Sequence, residues 1–293
     1  MDGTNFYRTI WLSDFHLGTR DTKAEFLLDF LRHNECEYLY LVGDVFDGWA
    51  LRKSWYWHQY HNDIVQKLLR KARKGTKVIY IPGNHDEFAR DFFHLQFGGI
   101  TVLPSTIHTT VDGKQLLVLH GDEFDGIIGR TKWLSILGSS AYQMTLHLNR
   151  AFNHLWRRMG LPYWSLSAYL KRRTKKAVQF IADFENAIVM EARRCEVDGV
   201  VCGHIHHAEL RMIDDVIYAN SGDWVESCTA LVEHVDGRLE ILTWVTQDHN
   251  LRMRRSAVSG DGRASSSDLI ELALARPPTR SGIQAKGSGV QWT

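Results

Sequence analysis

An α/β fold built around an open, largely parallel sheet is what this sequence predicts, and three observations predict it. Over residues 8–86, apolar strand-like runs alternate with stretches of helical spacing. Each apolar run stops in a short loop of Gly, Asp, Asn or His. After a long helical stretch, short strands return from Asp198 onward. Alternating strands and helices are the pattern of parallel strands joined by crossovers.

The elements follow in order. Residues 8–13 (RTIWLS) read as a buried strand, and 22–33 as a helix with apolar spacing near 3.6. Tyr38 to Val42 is a second buried strand ending in Gly43-Asp44, and residues 58–74 form a second helix with Lys and Arg toward its end. Lys77 to Ile81 is the third strand, running into Pro82-Gly83-Asn84-His85-Asp86. Residues 106–120 read as a hairpin around Asp112-Gly113, and 127–194 as mostly helical with a break at Gly160-Leu161-Pro162. Short strands then recur at VVCG, 209–213, 216–220, 226–234 and 238–244, the last two joined by the hairpin signal Asp236-Gly237. One domain over 1–249, with a helical insertion at about 126–195, is followed by a Ser-, Gly-, Arg- and Pro-rich stretch at 250–293 that reads as a disordered tail.

Composition bounds the function. With 44% apolar and 24% charged residues and a net charge of +1, the chain reads as globular and not as a wholly basic nucleic-acid binder. Cys36, Cys195, Cys202 and Cys228 are scattered without a C-x-x-C pair, and no signal peptide is evident, so a reducing cytoplasm is expected. No run approaches the roughly 18 apolar residues of a membrane span.

The chemistry concentrates at five strand ends. They carry Asp14 and His16 (SDFH), Asp44 (GD), Asn84 and His85 (GNHD), His120 (HGD), and His204 and His206 (GHIH). In an open α/β sheet such loops face one crevice. Carboxylates, imidazoles and one amide oxygen, without a thiolate, suit Mn, Fe or Zn. The set exceeds what one tetrahedral ion takes, whereas two ions roughly 3.5–4 Å apart sharing a carboxylate would use it. Asp14, His16 and His206 are assigned to the first ion, Asn84, His120 and His204 to the second, and Asp44 to both. The two-residue period of a strand would aim His204 and His206 to one side and His207 to the other. Taken singly, each element also reads as turn punctuation or a polar strand end. All five together favour a metal centre.

In this order D-x-H, GD, GNHD, HGD and GHxH resemble the calcineurin-like metallophosphoesterase superfamily, over about residues 8–245. The resemblance implies a four-layer α/β/β/α sandwich with a dinuclear centre, usually active with manganese. With its insertion between HGD and GHxH, the chain is similar to the UDP-2,3-diacylglucosamine pyrophosphatase group of lipid A synthesis. That likeness implies a peripheral membrane enzyme whose insertion covers acyl chains.

The insertion fits a lipid surface on its own terms. Between 126 and 176 the basic residues are Arg130, Lys132, Arg150, Arg157, Arg158, Lys171, Arg172, Arg173, Lys175 and Lys176, with no Asp or Glu. Trp133, Tyr142, Phe152, Trp156, Tyr163, Trp164 and Tyr169 are interleaved with them. Basic helices with aromatics suit an anionic membrane at the inner surface. Nucleic-acid binding and a merely solvated face are the weaker readings. Trp49, Arg130, Lys171 and Arg172 are the candidates for touching substrate, and the oligomeric state stays open.

One residue divides two lipid reactions. A phosphoanhydride expels a phosphate unaided, whereas an ester expels an alkoxide that needs a proton. His85 is placed to give it, with Asp86 to orient the ring. Members of the pyrophosphatase group often carry arginine here (GNRD), so GNHD favours ester cleavage. The expected activity is therefore that of the similar manganese-dependent phospholipases C, which release diacylglycerol and a phosphorylated head group. The alternatives are UDP-2,3-diacylglucosamine pyrophosphatase action releasing UMP and, more distantly, a nucleotide or nucleic-acid phosphodiesterase.

Overall fold

A computed structural model describes residues 4–128 and 166–244 of this chain, with side chains described at 4–126 and 178–244. The expected tail at 250–293, most of the basic insertion and the Arg130 position lie outside the described residues. The strands are β1 (Asn5–Leu12), β2 (Asn34–Val42), β3 (Lys77–Ile81), β4 (Gln96–Phe97), β5 (Ile100–Val102), β6 (Thr106–Thr109), β7 (Gln115–Val118), β8 (Gly199–Cys202), β9 (Glu209–Ile213), β10 (Val216–Asn220), β11 (Thr229–Glu233) and β12 (Leu239–Thr243). The helices are α1 (Ala24–His33), α2 (Gly48–Lys53), α3 (Gln59–Arg73), α4 (Asp125–Ile128) and α5 (Leu166–Arg194).

The strands form two sheets, one ordered β12-β11-β1-β2-β3-β5-β4 and one β6-β7-β8-β10-β9. Strands β1, β2, β3 and β5 run parallel, as do β7, β8 and β10, while antiparallel strands close the edges. The strands divide between two sheets, as the four-layer sandwich implied by the resemblance requires: β8, β9 and β10 join the hairpin at 106–118, while β11 and β12 extend the first sheet beside β1.

Alternation along the strands explains the layers. On β1, Ile10 and Leu12 face a core shared with Leu27, Phe30 and Leu31 of α1 and Ile64 and Leu68 of α3. Trp11 between them faces the other way, into a core with Tyr40, Val42 and Ile81 on its own sheet and Leu116, Val118, Val201 and Ala219 on the second. On that second sheet Leu117, Val200, Cys202 and Tyr218 turn outward to Phe184, Ile188, Val189 and Ala192 of α5. A strand buried on both faces reads as a continuous apolar run, as IWL, YLYLV and GVVC do. Burying each large apolar side chain contributes roughly 1.5–3 kcal/mol. The result is an α/β/β/α sandwich. Among the described residues no helix is long and apolar enough to cross a membrane.

Parallel pairing in both sheets has one consequence for function. The carboxyl ends of β1, β2, β3, β7 and β8 all emerge at the same end of the sandwich.

Candidate metal centre

Each of those five strands ends in a tight loop that turns a polar side chain back over the sandwich. Asp14, His16, Asp44, His204 and His206 all have φ between +52 and +70°, five of the nine non-glycine residues with positive φ among those described. Left-handed backbone costs a non-glycine residue about 1–3 kcal/mol and persists only where the surroundings impose it. Here neighbouring loops impose it: the amide of Asp14 donates to Gly43 O (3.0 Å), that of His16 to Asp44 O (2.9 Å), and that of His204 to Asp14 Oδ2 (3.1 Å). Two glycines admit the crowding. A Cβ at Gly43 (φ +78°) would lie 2.0 Å from His120 Nδ1, and one at Gly83 would lie 2.3 Å from Asp44 Oδ1.

The side chains converge in two clusters. In one, donor atoms of Asp14, His16 and His206 lie within 4.8 Å of one another, and in the other those of Asp44, His120 and His204 do. His206 Nε2 is 3.2 Å from Asp14 Oδ1 and 3.3 Å from His16 Nε2. The Asp44 carboxylate reaches both ways, Oδ2 lying 3.8 Å from His16 Nε2 and Oδ1 lying 3.5 Å from His120 Nε2. That is the placement of a shared ligand.

Asp14 Oδ1, Asn84 Oδ1 and His120 Nε2 are buried without a hydrogen-bond partner. A buried polar atom left unpaired costs about 1–3 kcal/mol, so three together mark a site built for something that supplies the missing interaction. His120 shows for what. Its Nδ1 donates to Val42 O at 2.9 Å, which leaves Nε2 with a lone pair aimed at the cluster. A ligating imidazole is ordinarily fixed by such a hydrogen bond from its other nitrogen. His16 is held similarly, with Nδ1 3.3 Å from Asp47 Oδ2. Carboxylate, imidazole and amide donors without thiolate fit divalent Mn, Fe or Zn.

The electrostatics agree. Burial pushes Asp44 up, but His120, His16 and His85 overcome it and hold it below the usual carboxylate range. Burial pushes His206 down, yet Asp14 outweighs it and carries the ring up to about 9. His120 is likewise raised against its burial by Asp44. Groups that attract protons this strongly without a cation are groups a cation can take over, with release of those protons.

His85 stands beside the clusters. Its Nδ1 lies 3.1 Å from Asp47 Oδ2, and its ring centroid is 4.2 Å from that of Trp49. Burial lowers its pKa, but Asp47, Asp44 and Asp14 raise it overall.

The sequence profile described as Calcineurin-like phosphoesterase matches residues 7–208. This chain belongs to that family. Among the curated relatives of this phosphoesterase, a UDP-2,3-diacylglucosamine hydrolase of Pectobacterium carotovorum is 25% identical over 70% of the chain and 85% of its own length. One of Photorhabdus laumondii is 25% identical over 72% and 88%. Among solved structures, the E. coli phosphoesterase Yfce covers 80% of the chain and 98% of its own at 14% identity, with a TM-score of 0.39.

The structure of this phosphoesterase corrects two expectations. Asp86 does not orient His85. Its buried carboxylate accepts from the amides of Asp44, Val45, Phe46 and Gly83 and from the Tyr80 hydroxyl (2.5 Å), so it shapes the Asp44 loop instead. The carboxylate beside the ring is that of Asp47, which also caps α2 by accepting from Ala50 N at 2.7 Å. Second, His204 and His206 converge on the centre not through strand alternation but because both sit past the end of β8 in left-handed conformations. His207 does point elsewhere, its Nε2 3.6 Å from Glu209 Oε2 on the surface. Trp49 lies at the rim, half-exposed. Lys171 and Arg172 fall on α5, with side chains outside those described.

Sequence reasoning missed Asp47, Asp125 and Arg90. Asp47 was legible as an N-cap, three residues past Asp44 and just before a helix-forming run. Arg90 grips Asp122 of the HGD loop at 2.8 and 2.7 Å, a pairing across the fold with no local trace. Asp125 contacts His204 at 2.9 Å.

Proposed function

We propose that this phosphoesterase hydrolyses the phosphoanhydride of a nucleotide-linked lipid of the UDP-2,3-diacylglucosamine type. The observation that carries this reading is the likeness to hydrolases of that name over 70–72% of the chain and 85–88% of theirs. It supports this reading better than the phospholipase C expectation, which rests on one position of one loop.

Two divalent cations, when bound, supply Lewis acidity to the phosphate oxygens and a nucleophilic water at neutral pH. The chain's own residues do the rest. Asp14, His16 and His206 would hold one cation, Asn84, His120 and His204 the other, and Asp44 both. His85, steadied by Asp47 and Trp49, presents a proton to a phosphate or leaving oxygen. A phosphate leaving group needs little of that proton and an alkoxide needs it fully. The seating of His85 against Asp47 therefore favours a second reading, ester cleavage releasing diacylglycerol. For the lipid portion, we assign the rim aromatics and the basic insertion of 126–176 to an anionic membrane surface, with the enzyme peripheral and cytoplasmic.

Incubation with Mn and, separately, UDP-2,3-diacylglucosamine, phosphatidylglycerol and phosphatidylcholine tests the proposal. Release of UMP from the first alone is expected. Diacylglycerol from either phospholipid, without UMP, would overturn it in favour of the second reading.

A further inference from the structure

The two imidazoles of the Asp44–His120–His204 cluster are held in opposite senses. His120 commits Nδ1 to the Val42 carbonyl and presents Nε2. His204 commits Nε2 instead, 2.9 Å from Asp125 Oδ1. A carboxylate oxygen accepts, so Nε2 carries the proton of a neutral His204, and Nδ1 is the nitrogen left with a lone pair.

The rest of the ring's surroundings leave it little freedom. Its edge meets His120 with centroids 5.1 Å apart at 71°, and Phe184 of α5 flanks it at 5.9 Å. Phe184 is fully buried. The backbone at His204 has φ +70° and its amide donates to Asp14 Oδ2, which ties the residue to the other cluster as well. Backbone and packing thus place the ring, but neither chooses which nitrogen bears the proton. Asp125 is the described group that does. It opens α4, at the start of the inserted segment, and its half-exposed side chain leans back over the centre.

We propose that Asp125 is a positioning residue of the metal centre, fixing His204 as the Nε2–H tautomer so that Nδ1 serves the cation shared with Asp44 and His120. This rests on the reading of those three residues as cation ligands. Asp125 enters from α4 and Phe184 from α5, so this cluster also draws on the segment after β7 and on the outer helical layer. Removing the carboxylate frees the ring to adopt the other tautomer, with the proton on the nitrogen the cation requires. Partners that orient a ligating histidine are typically worth about 10–100-fold in metal affinity.

The test is calorimetric titration of the metal-free full chain with Mn. The wild-type chain is expected to take up two ions. Asp125→Asn, nearly isosteric and at the surface, should weaken one site by about 10–100-fold and leave the other unchanged, which serves as an internal control for folding. Asp125→Glu, which keeps the carboxylate, should restore most of the lost affinity. Two sites of wild-type affinity in Asp125→Asn would overturn the assignment, as would equal weakening of both sites that Asp125→Glu fails to restore. A wild-type chain that binds no Mn is a separate result, overturning the metal-centre reading beneath it.

Discussion

Two buried carboxylate–histidine assemblies lie within this sandwich, and they are built to opposite rules. Around Glu233, the carboxylate itself is fully satisfied: it accepts from Arg8 Nη1 (2.8 Å), Thr9 Oγ1 (2.7 Å), the Val111 amide (2.7 Å) and His108 Nε2 (3.0 Å). His108 takes the Tyr40 hydroxyl on its other nitrogen at 3.1 Å. Arg8, Thr9, Tyr40, His108 and Glu233 lie in strands and clamp β6 of one sheet to β1, β2 and β11 of the other. Around Asp44, four buried polar atoms, Asp14 Oδ1, Asn84 Oδ1, His85 Nδ1 and His120 Nε2, have no hydrogen-bond partner, and five residues hold strained backbone. Burial of a charged pair is common to both and so does not mark function. Unspent bonding capacity on a strained frame does.

The contrast breaks most visibly at its two carboxylates. Asp44→Ala is expected to lower turnover by about three orders of magnitude or more, since several kcal/mol of charge stabilisation depend on the cations it shares. In the metal-free protein the same change should cost less stability than Glu233→Ala, because the Asp44 carboxylate accepts one hydrogen bond, from the His85 amide at 2.9 Å, where that of Glu233 accepts from four groups. Glu233→Ala should do the reverse, costing about 3–5 kcal/mol by stranding Arg8 and His108 in the interior. Activity per folded molecule should be nearly wild type. A fall in stability for Asp44→Ala as large as that for Glu233→Ala would erase the distinction.

Acid sharpens it. Burial pushes Glu233 up, but hydrogen bonds from His108, Thr9, the Val111 amide and Arg8 hold it down at about 2, against an ordinary 4.5. A depressed carboxylate contributes stability that is fully present above its unfolded pKa and is lost as pH falls through the folded one. Denaturation free energy should therefore drop between about pH 4.5 and 2, by on the order of 3 kcal/mol from this group. Subtracting the profile of Glu233→Gln isolates that portion; an identical slope in the variant would contradict the clamp.

A smaller effect separates the reading of His85 from that of its neighbours. His85→Ala should cost about 10²-fold on a substrate with an alkoxide leaving group and much less on a p-nitrophenyl phosphodiester. Asp47→Asn should show the same pattern, more weakly. Equal losses on both substrates would remove His85 from proton transfer and leave it a packing residue.

Much of this was legible in the sequence because it is local. IWL, YLYLV, KVIYI and GVVC announce strands buried on two faces, and the glycines and polar residues after them announce loops at one end. Ligand candidates from all five loops could be named before their distances were known. What was illegible is what depends on another part of the chain. Helix α2 has only six residues, too few for a periodic signal. The division into two sheets depends on β7 choosing β8 instead of the first sheet. Asp86 looked like the partner of His85 because it is adjacent, yet adjacency along a tight turn pointed its carboxylate at the Asp44 loop. Asp47 and Asp125 reach their histidines through space. The expectation of ester cleavage rests on a single residue, His85 of the GNHD loop.

The central claim is that five separate loops cage a pair of divalent cations with Asp44 between them. Anomalous diffraction from crystals grown with Mn measures this directly. Two peaks are expected about 3.5–4 Å apart, one against Asp14, His16 and His206, the other against Asn84, His120 and His204, with the Asp44 carboxylate touching both. No peak at either cluster, or a single ion that leaves Asp44 uncoordinated, would contradict the account.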